Sequence, residues 1–203
     1  MGGIVENLLL YYIQILAIMN PFAVLPTFIS LTRRATDEKI RVVVNKVLWA
    51  GLILVTIFTL IGNYILVAFN ISIPALRIGG GIILVAISLD MLSGFPRTKK
   101  VRSDEFAVVP ITTPLLIGPG TLTTILLLTS RNPSISNTLV ILLAGYLAVL
   151  TSYFVLKYAK TATRYIPFST IRVIGRIMSL IIISIAVEMM IHGVVAYYNQ
   201  YFK

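Results

Sequence analysis

Two short stretches carry the residues with the most chemistry to offer. In "MNPFAVLPTFIS", residues 19 to 30, Asn20 brings a side-chain donor and acceptor into an apolar run that extends from Leu8 to Leu31. Pro21 and Pro26 withhold the N–H groups that the carbonyls of Ala17 and Phe22 would accept in a helix. In "ITTPLLIGPGTLTT", Thr112 and Thr113 supply hydroxyls, and Pro114 and Pro119 free the carbonyls of Pro110 and Leu115. Gly118, Gly120 and Thr121 follow in the same segment. Helix breaks of this kind turn backbone into ligand: amino ends of half-helices hold a carboxylate, and loose carbonyls accept from an ammonium group or a cation. A small zwitterion satisfies both. Asn20, Thr112 and Thr113 are expected to bond such a substrate, Phe22 to close over it, and Ala17, Pro21, Leu115 and Pro119 to shape the breaks. No Arg or Lys lies deep in either segment to hold an acidic side chain, so a neutral amino acid is expected.

Other reactive groups are sparse. Glu188 is the carboxylate set well inside an apolar run, with His192 one turn later on the same helical face. Ionisable groups at membrane depth mark ion paths, so both are candidates for ion coupling, set against a simple structural pair. Asp90, near the end of another run, is a candidate of the same kind and more readily an interfacial residue. The Gly79–Gly81 run is read as helix packing. With one His, no Cys and isolated acids, no catalytic dyad or metal cluster can be assembled, and no phosphate-binding Gly-rich loop is present. Neither an enzyme nor a bound cofactor is expected; Na⁺ or H⁺ is the expected coupling ion.

These groups need elements to hold them, and composition names the solvent of those elements. Of 203 residues 58% are hydrophobic and 12% charged, and the mean hydropathy is +0.95, a balance that fits a polytopic membrane protein. Six apolar runs, at 8–31, 47–69, 73–93, 107–129, 138–156 and 177–198, each approach the roughly 20 residues of a membrane-crossing helix. They are too long, and too uniformly apolar, for barrel strands. The amino terminus lacks the basic start and the cleavage pattern of an export signal and is expected to stay attached. Fourteen of the 17 basic residues follow the first, third and fifth runs; Arg77, Arg131 and Lys203 alone fall on the other side. That asymmetry places the basic loops in the cytoplasm and both termini outside. It also argues against nucleic acid as the reason for a net charge of +10, leaving anionic lipid as a secondary partner.

"NPFAVLP" at 20–26 recurs as "TPLLIGP" at 113–119, an offset of 93, and "AG" at 50 recurs at 144. The chain therefore reads as one membrane domain of two three-helix repeats, near 1–95 and 105–203, with discontinuous first and fourth helices. Three is odd, so the second repeat is inverted. Inverted repeats with interrupted helices in matching places point to a transporter site near the bilayer midplane.

"MNPFAVLPTFISLT", "LRIGGGIILVAISLDML" and "ITTPLLIGPGTLTT" resemble the MarC family of integral membrane proteins over essentially the whole chain. The resemblance implies six helices in two inverted triplets and, as in some archaeal members, ion-coupled transport of small neutral amino acids such as glycine and alanine. Its Asn-Pro and Pro-Gly elements fall on Asn20-Pro21 and Pro119-Gly120. The expectation is thus a secondary transporter in the cell membrane, against a channel for a small polar solute or a structural membrane protein.

Overall fold

A computed structural model describes residues 2–32, 35–93, 116–162 and 167–202. Among them the elements are helical throughout: α1 (Gly2–Met19), α2 (Pro21–Thr32), α3 (Asp37–Leu60), α4 (Gly62–Ala68), α5 (Ile73–Ser93), α6 (Pro119–Arg131), α7 (Ile135–Lys157), α8 (Ala159–Ala162) and α9 (Phe168–Tyr201). Five stretches are long and apolar enough to cross a membrane: Gly3–Pro26, Asp37–Leu60, Ile73–Leu92, Ile135–Lys157 and Ser169–Gln200. The chain is a polytopic helical membrane protein. The fourth expected run behaves differently. Its described part, α6, has 13 residues, roughly 20 Å at 1.5 Å per residue, too short to cross alone, and residues 107–115 lie outside the described ones.

Caps move several boundaries away from the hydropathy runs. The Thr36 hydroxyl accepts the Lys39 N–H, and Asp37 and Glu38 occupy the first turn, so α3 starts ten residues ahead of its apolar run. Lys39, Arg41 and Lys46 accordingly ride on a helix rather than in a loop. Ser134 caps α7 by accepting from the Asn137 N–H at 3.2 Å. α9 runs for 34 residues and extends beyond its apolar run at both ends.

Two packed layers share α6. In the first, α3 and α7 cross where both are small: Gly51 faces Val149 and Gly145 faces Val55, so the helices run antiparallel. A Thr56–Tyr146 hydroxyl contact of 2.7 Å pins the same crossing. α1 lies on α7, held by Tyr11 Oη donating to Asn137 Oδ1 at 2.9 Å and by the Tyr12–Thr151 hydroxyl pair at 3.0 Å. Ile15, Val47, Val55, Ile141 and Ala148 form the core of this layer. The second layer is α5 on α9, also antiparallel, with Pro74 and Arg77 beside Gly193, Gly81 beside Ala186 and Met190, and Leu84 clustered with Ile182. α6 bridges the two, with Gly80 against Thr123 and Leu84 against Gly120 on one side, and Gly51 against Ile117 and Gly62 against Leu126 on the other. α2 packs on α9.

Candidate functional site

Asn20 makes the first break. Its φ is +42°, in the left-handed region where asparagine is among the few tolerated side chains. The Asn20 N–H closes α1 on the Leu16 carbonyl at 2.9 Å, and Asn20 Oδ1 accepts the Ala23 N–H at 3.1 Å to open α2. Pro21 then serves as the first residue of α2, where its missing donor is least costly, while the Ala17 carbonyl is deprived of its helix donor. The expectation for Pro26 needs correction: it lies inside α2, which continues to Thr32. One lost hydrogen bond, to Phe22, does not end that helix.

The second described helix start has a similar construction. Gly118, in extended conformation, precedes Pro119 at the start of α6. The Thr121 hydroxyl turns back to the Leu116 carbonyl at 3.2 Å, and the Thr124 hydroxyl bonds the Gly120 carbonyl at 2.9 Å. Thr112, Thr113, Pro114 and Leu115 lie outside the described residues.

The two starts meet. Ile18, Met19 and Asn20 share one pocket with Gly118, Gly120 and Thr121, and its far wall is Leu84, Ile87 and Met91 of α5 with Ile182 of α9. Asn20 is 3% exposed and Thr121 is equally buried. Asn20 Nδ2 is buried and has no hydrogen-bond partner among the described residues. The walls are otherwise apolar, and the space admits about one water molecule. Sequence reasoning missed the α5 wall, formed by Leu84, Ile87 and Met91 at i, i+3 and i+7 of a helix that is apolar on all its faces.

The remaining candidates stand apart from this pocket. Phe22 is 42% exposed, and neither it nor Ala17, Pro21 or Pro119 lines the space. Glu188 and His192 form a pair, with His192 Nε2 2.9 Å from Glu188 Oε1, on the exposed face of α9. Asp90 is half-buried on α5, next to the pocket residue Met91. Of the glycine run, Gly80 and Gly81 pack closely against Thr123 and against Met190, whereas Gly79 faces open space. Among the described residues no group of three His, Cys, Asp or Glu side chains converges to hold a metal.

A polytopic helical bundle with a broken first helix, whose break meets a second helix start in an apolar pocket, defines a class of membrane protein with half-helices. The chain belongs to the MarC family: residues 5–198 match the MarC family integral membrane protein pattern. It is 34% identical over 197 residues to a UPF0056 membrane protein of Methanocaldococcus jannaschii, covering 93% of this chain and 96% of the relative. It is 32% identical over 196 residues to one of Pyrococcus horikoshii, covering 94% and 95%. A third relative, the UPF0056 membrane protein YhcE of Escherichia coli, is 30% identical over 200 residues, covering 91% and 90%. No solved structure matches the chain significantly.

Proposed function

We propose that this protein is a secondary transporter of small neutral amino acids, coupled to Na⁺ or H⁺, which holds its substrate between the starts of α2 and α6. The observation that carries the proposal is that Asn20, whose buried Nδ2 donor has no partner among the described residues, lines a pocket shared with the α6 amino end. A donor left without a partner there costs about 1–3 kcal/mol, a cost that a substrate carboxylate would remove. The amino ends of α2 and α6 add positive dipole ends for the same group. Apolar walls without a charged side chain favour a neutral substrate, and their closeness favours a small one. Since the space admits about one water molecule, binding requires α2 or α5 to withdraw. A narrow pocket of this kind fits one state of an alternating-access cycle.

The architecture we propose around it is six crossings in two inverted repeats, near 1–95 and 105–203, with both termini on the outer side of the cell membrane. Contact symmetry supports it. An offset of 94 carries Gly51 onto Gly145 and Val55 onto Val149, so the contact of Gly51 with Val149 maps onto that of Gly145 with Val55. α2 on α9 likewise corresponds to α6 on α5. α6 is parallel to α3 and antiparallel to α5, and α7 is antiparallel to α3. α7 therefore runs in the direction of α5, and α6 between them runs in the opposite direction, as a sixth crossing would require. Counterflow of labelled glycine and alanine in proteoliposomes tests the transport class: a transporter accelerates label entry when unlabelled substrate is loaded inside, while a passive pore gives no such acceleration.

A further inference from the structure

The face of α9 that meets α5 is formed by Ile182, Ala186, Met190 and Gly193. Ser184, Glu188 and His192, four residues apart, run down the opposite face and are exposed. Ser184 satisfies its hydroxyl on the Leu180 carbonyl at 3.0 Å, but the Glu188–His192 pair is 69% and 64% exposed. Glu188 lies well inside the apolar stretch Ser169–Gln200, 12 residues from its end, or roughly 18 Å along a helix. Its short side chain cannot reach the interface from there, and hydrocarbon offers a carboxylate no partner beyond the single imidazole. The substrate pocket is on the other side of the helix and supplies no water to this face.

We infer that the Ser184–Glu188–His192 stripe is the contact between two copies of this chain. The stripe is complementary to itself, because it carries an acid and a base one turn apart. A two-fold axis along the membrane normal sets two such stripes side by side at equal depth, so that Glu188 of each copy meets His192 of the other. Ser184 gives the small surface that lets the helices approach, and the exposed Ile181, Ile191 and Val195 flank the polar groups. Among the described residues, α5 and α9 also have a smaller share of their apolar length buried than α1 and α7 do.

The absence of native cysteine makes the test clean. Ser184→Cys and Val195→Cys variants, reconstituted at low density in liposomes, are expected to form disulfide-linked dimers on mild oxidation. Leu143→Cys, exposed on α7, is expected to remain monomeric. Adding Glu188→Leu with His192→Leu to the Ser184→Cys chain lowers cross-linking about tenfold, the scale of several lost interhelical hydrogen bonds in a symmetric pair. The exchanged variant, Glu188→His with His192→Glu, keeps the stripe self-complementary and restores it. Cross-linking at the stripe no faster than at Leu143→Cys, as for a face covered by lipid, overturns the inference; so does undiminished cross-linking of the double Leu variant.

Discussion

Asn20 performs two separable tasks at one position. Its backbone takes a positive φ and its Oδ1 opens α2, while its Nδ2 is buried without a partner among the described residues. Substitutions divide these tasks. Asn20→Gly keeps the backbone conformation and removes the amide, so the protein should insert and fold while apparent affinity falls by roughly one to two decades, about 1–3 kcal/mol. Asn20→Leu adds left-handed strain of about 1–2 kcal/mol and should lower stability as well; melting in detergent alongside substrate binding separates the two effects. The break at Asn20 was legible in the sequence because Pro21 withholds a helix donor from the Ala17 carbonyl. Its left-handed conformation was not, since Asn-Pro is compatible with extended backbone too. Phe22 shows the opposite case: proximity in sequence to Asn20 pointed to the pocket, but the first turn of α2 carries it to the surface.

Among the elements, the break between α1 and α2 rests on Asn20 and Pro21, and Pro26 is peripheral to it. Pro26→Ala should restore a donor to the Phe22 carbonyl and leave transport intact. Asn20→Ala with Pro21→Ala should allow one continuous helix through Met19 and abolish transport while the chain still inserts; uptake compared with membrane content checks both. The glycines of α5 discriminate in the same way. A Cβ at Gly81 would come 2.8 Å from the Ala186 carbonyl, whereas one at Gly79 meets nothing within 4 Å. Gly81→Ala should therefore destabilise by about 1–3 kcal/mol, and Gly79→Ala should hold or gain stability through helix propensity; thermal melting in detergent reads the difference. Hydropathy located most of these helices because a membrane span must be continuously apolar. It misplaced the start of α3, since Thr36 and Asp37 favour helix regardless of polarity, and it could not locate the α5 wall, since Leu84, Ile87 and Met91 look the same whether they face lipid or a pocket.

For the whole molecule, the number of crossings decides where the termini lie. The five described spans alone would put them on opposite sides; a sixth crossing through 107–129 puts them together, as the proposed inversion requires. Single cysteines at Gly3 and Asn199 should both react with an impermeant maleimide in intact cells, and one at Lys39 only after permeabilisation. Labelling of Gly3 and Asn199 from opposite sides would remove the inverted-repeat architecture. The crossing of α3 on α7 was legible in the sequence through the paired Ala-Gly dipeptides at 50 and 144, because Gly51 and Gly145 supply the small residues that a close crossing needs. The meeting of the two helix starts in one pocket was not legible from any local pattern, since Asn20 and Gly118 are far apart along the chain.

The central claim is that the pocket between the starts of α2 and α6 binds a small neutral amino acid through Asn20. The most direct measurement is saturable binding and uptake of labelled glycine and alanine by the purified protein in proteoliposomes, under separately imposed sodium and proton gradients, with Asn20→Gly alongside. Uptake that saturates, responds to one of the two gradients and loses roughly one to two decades of affinity in Asn20→Gly is the predicted result. Folded parent protein that binds neither amino acid, or an Asn20→Gly variant that binds as the parent does, would contradict it.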